Sequence, residues 1–76
     1  MVESRTAILQ KFGDNARSLR KKKNLSQEKL AELAGMDATY ISGIERGVRN
    51  PSLVAIVQLA GALKTPPGEL FAGLGK

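Results

Sequence analysis

One glycine, Gly35, constrains the fold of this chain more than any other residue. It separates two short segments with helical periodicity, one with an apolar face beginning at Leu30 and one containing Ile41 and Ile44. Glycine is favoured just after a helix because it adopts the left-handed backbone conformation without strain. Asp37, two residues further on, is a good N-cap for a new helix. The sequence therefore predicts two short helices joined by a tight turn.

The spacing within this helix pair is that of a helix-turn-helix over about Gln27–Arg46. A small residue is needed where the two helices cross, and Ala31 occupies that position. Ile41 and Ile44 stand three residues apart on one face, so both can pack onto the first helix. Helix pairs of this kind place their second helix in the major groove of DNA. The motif therefore predicts a sequence-specific DNA-binding protein.

The rest of the chain is also predicted to be helical. Ile8, Phe12, Ala16 and Leu19 recur at helical spacing in the first segment, and Asn24 is expected to end it. The fold class is therefore all-α, a compact five-helix bundle forming a single domain over residues 1–76. The expected helices cover 4–23, 27–34, 38–46, 53–63, and a short fifth segment that opens at Pro66-Pro67 and ends near Phe71 or Ala72.

The positive charge of the chain is concentrated near its start. The formal net charge is +5, and residues 1–25 hold seven of the 12 basic residues but only two of the seven acidic ones. Such an excess indicates an anionic partner, most commonly nucleic acid. It is equally compatible with a solvated helix end whose basic residues complement the helix dipole. We expect Lys21–Lys23 to be solvated or to steer an approaching ligand rather than to contact it.

Composition excludes several other functions. The chain has no cysteine and no histidine, so disulfides, Cys- or His-ligated metal sites and nucleophile–histidine catalysis are excluded. No cofactor, metal or small-molecule ligand is expected, and an enzyme is not expected either. No apolar run is long enough for a membrane span, and no signal-peptide pattern is present. We therefore expect a soluble cytoplasmic protein with no membrane partner.

Two stretches resemble a known family. Leu25–Ala31, which reads LSQEKLA, and Tyr40–Ser52, which reads YISGIERGVRNPS, resemble the phage-repressor (Cro/repressor, or xenobiotic-response-element) family. The YIS-x-IERG and RNPS segments are similar to controller proteins of restriction–modification systems. The resemblance covers about residues 8–72. It implies a lambda-repressor-like fold and a homodimer that regulates transcription at a near-palindromic operator in double-stranded DNA, with RNA polymerase as a further partner.

The resemblance also implies roles for individual residues. Base contacts are implied for five residues: Ala38, Thr39, Tyr40, Gly43 and Arg49. Phosphate contacts are implied for seven: Arg17, Ser26, Gln27, Ser42, Arg46, Asn50 and Ser52. Arg20 and Glu45 match a partly buried ion pair between the first and third helices. Ala38 departs from the family pattern, because its methyl group can contact only a thymine methyl and cannot donate a hydrogen bond.

Structural roles remain open for three of the base-contacting candidates. Tyr40 could cover the edge of the core with its hydroxyl in water. Thr39 could be an ordinary exposed residue in the first turn of its helix. Arg49 could do no more than satisfy loop carbonyls.

Dimerisation is expected at the C-terminal end, because the third helix must stay free for DNA. The interface candidates are Val57, Leu63, Leu70 and Phe71, and the sequence does not say which of them fill the monomer core instead. Two functions remain open. One is an autonomous transcription regulator, and the alternative is an antitoxin-type protein-interaction module that also binds DNA.

Overall fold

The structure, a computed structural model, describes residues 4–75. Over that range the chain forms four α-helices and one 3₁₀ helix, and contains no strand. The α-helices are α1 (Arg5–Lys22), α2 (Gln27–Ala34), α3 (Ala38–Glu45) and α4 (Leu53–Ala62). They match the first four predicted helices to within one residue at each end, so the all-α prediction is confirmed.

The fifth predicted α-helix is wrong, because the segment Pro67–Phe71 is a 3₁₀ helix. Its characteristic bond joins the Glu69 amide to the Pro66 carbonyl, three residues back, at 3.0 Å. Pro66 and Pro67 have no backbone N–H, and the segment is too short to develop the four-residue pattern of an α-helix. The side-chain amide of Asn15 instead holds this segment against α1, donating to the carbonyls of Leu70 (2.9 Å) and Ala72 (2.8 Å).

Local signals in the sequence set the helix boundaries. At the start of each of the four α-helices, the side-chain oxygen of the N-cap residue accepts a hydrogen bond from a backbone N–H of the first turn. The N-cap residues are Ser4, Ser26, Asp37 and Ser52. Left-handed residues follow the helix ends, with φ of 58° at Asn24, 70° at Gly35, 76° at Gly47 and 53° at Lys64. These caps satisfy backbone groups that a helix terminus leaves unpaired.

The core lies where α1, α2 and α4 meet the inner face of α3 and the 3₁₀ segment. Its members are Phe12, Ala16, Leu30, Ala31, Ile41, Ile44, Leu59, Ala60, Leu63 and Leu70. α3 packs on both α1 and α2, which leaves its opposite face toward solvent. Gly13 is buried where α1 crosses α3, and a Cβ built there would lie 2.8 Å from the Glu45 carbonyl oxygen and closer still to that of Ile44. The close approach of these helices therefore requires a glycine.

Residues 4–75 contain neither a candidate membrane span nor a cluster of metal-ligating side chains. None of the described helices has the length and apolar character needed to cross a membrane. No group of three or more acidic residues in this range is arranged to hold a metal ion.

Candidate nucleic-acid interface

The solvent-facing side of α3 carries most of the predicted base-contacting residues. Thr39 is exposed in the first turn, while Ala38 and Tyr40 are half-buried. Tyr40 also packs against the edge of the core, so the structural role left open for its ring is present in the fold. Ile41 and Ile44 point inward and anchor the helix, which gives the outer residues a rigid support. A single helix presented in this way fits the major groove of B-DNA.

Arg20 and Glu45 form the predicted ion pair, and it is buried beside this face. Arg20 Nε and Nη2 donate to the two carboxylate oxygens of Glu45 at 2.7 and 3.0 Å. Arg20 Nη1 donates to the Leu25 carbonyl at 2.7 Å. The hydrogen bond with Glu45 raises the pKa of Arg20, although burial acts in the opposite direction. The paired charges therefore tie α1 to α3, and Arg20 also ties α1 to Leu25 in the turn before α2.

Gln27 joins the same network, which was not anticipated. Its Nε2 donates to Glu45 Oε1 at 3.0 Å. A side-chain amide carries two N–H donors, so one remains for another acceptor. The ion pair thus fixes the position of Gln27, the residue for which a phosphate contact is implied. The sequence gives one indication of this contact, a polar residue at the start of α2 and an acidic residue at the end of α3.

A solvent-open cavity of about 280 Å³ lies between α1, α2 and α3. Four of the predicted phosphate-contacting residues line it, namely Arg17, Gln27, Ser42 and Arg46, together with the Arg20–Glu45 pair. Arg46 Nε donates to Ser42 Oγ at 3.3 Å. Because Arg20 balances Glu45, the charge left to the cavity is that of Arg17 and Arg46. The cavity is therefore suited to an anion such as a DNA phosphate.

The other three predicted phosphate contacts lie elsewhere. Ser26 Oγ caps α2 by accepting the Lys29 N–H at 2.9 Å, and Ser52 Oγ caps α4 by accepting that of Ala55 at 3.1 Å. A capping hydroxyl keeps its own proton as a donor, so capping does not prevent a phosphate contact. Asn50 lines a different cavity of about 360 Å³ with Arg5, Ile8 and Leu9. Asn50 is therefore not brought together with the α1–α2–α3 cavity.

Gly43, for which a base contact is implied, does not lie open on the outer face of α3. Gly43 is buried, and the side chain of Arg49 passes over it. The loop is held there because the amides of Val48 and Arg49 donate to the Gly43 carbonyl at 3.0 and 3.2 Å. Arg49 itself is exposed at the edge of the outer face of α3. Arg49, in the loop after α3, thus covers the part of α3 where Gly43 was expected to face DNA.

Two of the four interface candidates fill the monomer core instead. Leu63 and Leu70 are fully buried, because the 3₁₀ segment folds back over the end of α4 and both side chains fill the monomer core. Val57 and Phe71 remain 53% and 41% exposed. Leu53 and Val54 are also exposed, on the first turn of α4, and are not among the interface candidates predicted from the sequence. We use the name α4 patch for three exposed residues of α4 together with Phe71 of the 3₁₀ segment. The three residues of α4 are Leu53, Val54 and Val57.

The turn between α2 and α3, the exposed face of α3 and the adjoining cationic cavity define a helix-turn-helix DNA-binding protein. A family model for the helix-turn-helix matches residues 17–70. The chain belongs to the helix-turn-helix family of DNA-binding transcriptional regulators, which is not an enzyme family.

Comparison with individual proteins gives the same class. The chain is 44% identical over 64 residues to the control protein C.SmaI of Serratia marcescens, covering 84% of this chain and 76% of that protein. It is 48% identical over 61 residues to C.BamHI of Bacillus amyloliquefaciens, covering 79% and 75%. The crystal structure of the restriction-modification controller protein C.AhdI from Aeromonas hydrophila superimposes with a TM-score of 0.84 at 57% identity, covering 86% and 98%.

Proposed function

We propose that this protein is a restriction–modification controller that binds a near-palindromic operator as a symmetric homodimer. The observation that carries the proposal is the position of the α1–α2–α3 cavity beside the exposed face of α3. A phosphate in that cavity would contact Arg17, Gln27 and Arg46 while α3 lies in the adjacent major groove. The similarity to C.SmaI, C.BamHI and C.AhdI supports the controller subclass.

Base reading in this arrangement falls on few side chains. Thr39 and Tyr40 stand on α3, and Arg49 reaches its edge from the following loop. Arginine is the side chain best suited to guanine, because its planar donors match the O6 and N7 acceptors. Ala38 supplies only an apolar contact. We therefore propose that DNA shape adds to specificity at positions that these residues do not touch.

The dimer follows from the same geometry. We propose that the α4 patch forms the interface, since its residues stay exposed in the monomer and none of them belongs to α3. Placing a two-fold axis there would set two recognition helices about 34 Å apart, one turn of DNA. Regulation would then follow from blocking RNA polymerase or recruiting it at the operator.

Selection of DNA from random duplexes by the purified protein tests the proposal. We expect a near-palindromic consensus with half-sites one turn apart. With three or four phosphate contacts per subunit, the slope of log K against log salt should be about −5 to −7. Absence of binding to any duplex at low salt would contradict the proposal. So would co-purification with a stoichiometric small protein that blocks DNA binding, the behaviour of an antitoxin-type module.

A further inference from the structure

Gly43 is the point at which the loop after α3 closes onto the helix. Its carbonyl accepts two amides of that loop, from Val48 at 3.0 Å and from Arg49 at 3.2 Å. The residue is buried although it belongs to a helix with a solvent-facing side. What covers it is not the core but the side chain of Arg49.

The contact is close enough that no side chain fits at position 43 while Arg49 keeps its present position. A Cβ built on Gly43 would overlap Cγ of Arg49 and would lie 3.4 Å from its Cδ and Nε. The stem of Arg49 therefore runs across α3 through the space that a residue other than glycine would fill. By contrast, Gly61 in α4 has no atom within 4 Å of an added Cβ.

We propose that Gly43 is a positioning residue that sets the base preference of Arg49. Because position 43 has no side chain, the Arg49 side chain can lie against α3 as far as Nε, which would place its guanidinium at the edge of the recognition face. A donor held in place before binding loses less rotamer freedom when it meets a base. This inference rests on the proposed function, in which α3 occupies the major groove. The position of Arg49 is important in this protein because Ala38 cannot donate a hydrogen bond. Among the base-contacting candidates, Arg49 has the longest side chain with hydrogen-bond donors.

Gly43→Ala tests the inference on the full chain, with the duplex selected by the wild-type protein as the probe. The methyl group should displace the Arg49 stem toward solvent. Operator affinity should fall about tenfold or more per half-site, the effect of losing a good base contact. Non-specific affinity should change little. The fold should survive because the exposed Arg49 side chain can move into solvent without disturbing the core. Alanine also has a higher helix propensity than glycine. Gly61→Ala, which makes the same change in open space, is the matched control for helix stability and should fold at least as well as the wild type.

A double variant separates positioning from direct obstruction of DNA. If Gly43 acts through Arg49, then Gly43→Ala should have no further effect on affinity or base preference in an Arg49→Ala background. An equal loss in both backgrounds would mean that the methyl obstructs DNA itself, and would overturn the inference. Wild-type affinity in Gly43→Ala, or no loss in Arg49→Ala, would also overturn it while leaving the proposed function intact.

Arg49→Lys provides a second variant that leaves Gly43 unchanged. It keeps the charge and much of the stem but loses the planar fork. We expect a new selection from random duplexes to show a relaxed preference at one base of each half-site, with an unchanged salt slope. An unchanged consensus would show that Arg49 reads no base and would overturn the inference. If the wild-type protein selected no duplex at all, the proposed function would fail first and the inference with it.

Discussion

Arg20 and Glu45 bring opposite charges into a site where neither is well solvated, with 9% and 6% of each residue exposed. Such a pair is stable because each charge has the other, together with further hydrogen bonds from Gln27 and to Leu25. Because folding raises the pKa of Arg20, the protonated form of Arg20 stabilises the folded state at every pH below its ordinary pKa. That contribution is fully present at neutral pH and is lost only as pH rises through the folded-state value.

Glu45→Gln should therefore destabilise the protein strongly, because Arg20 would keep its charge in a buried site without a counter-charge. We expect a loss of about 3 kcal/mol in the free energy of unfolding, measured by urea denaturation at neutral pH. The control is Glu32→Gln, which breaks the exposed Lys29–Glu32 pair on α2. Exposed pairs of this kind contribute about 0–1 kcal/mol. Equal losses in the two variants would contradict a structural role for the buried pair.

At the level of the helices, α1 and α3 cross closely at Gly13. Gly13→Ala should destabilise by about 1–3 kcal/mol, because the new methyl meets backbone carbonyls that cannot move without shifting a helix. Gly61→Ala has open space and should stabilise by roughly 0.5–1 kcal/mol through helix propensity alone. Thermal unfolding of the two variants should give midpoints displaced in opposite directions. A stabilised Gly13→Ala would show that the helices do not approach so closely.

α2 and α3 should divide the work of binding DNA. Thr39→Ala on α3 should weaken operator binding by about 1–3 kcal/mol and leave non-specific binding nearly unchanged. Gln27→Ala at the start of α2 should weaken binding to all sequences alike, because phosphate contacts carry no sequence information. Titrations against the selected duplex and a scrambled one measure both effects. If Thr39→Ala left the ratio of the two affinities unchanged, Thr39 would not be a base reader.

The elements of this fold could be predicted from the sequence because short-range signals define them. Ser26 and Gly35 set the bounds of α2 through local hydrogen bonds and backbone conformation, which depend on a few neighbouring residues. Gly13, by contrast, looks like a weak point in a helix until α3 is placed against it. The contact of Arg49 with Gly43 depends on the path of the loop after α3. Helical periodicity in the sequence does not predict the path of a loop.

At the scale of the whole molecule, the same limit explains why the sequence could not separate interface candidates from core residues near the C-terminal end. The apolar stripe of α4 is wide enough for two surfaces, and the sequence alone does not divide it. The division comes from the 3₁₀ segment, which Asn15 holds against α1 and which covers Leu63 while burying Leu70. Leu53, Val54 and Val57 lie on the part of α4 left uncovered.

Val57→Glu should therefore convert a dimer into a folded monomer. The residue is 53% exposed, so a charge there is solvated in the monomer but would be buried in the proposed interface. Sedimentation should show the monomer, and circular dichroism should show unchanged helicity. Operator affinity should fall steeply, because each half-site would then be bound independently. The matched control is Leu33→Glu on α2, which introduces the same charge at a residue that is 52% exposed and outside the α4 patch. If Val57→Glu remained dimeric, or if both variants became monomeric, the interface would lie elsewhere.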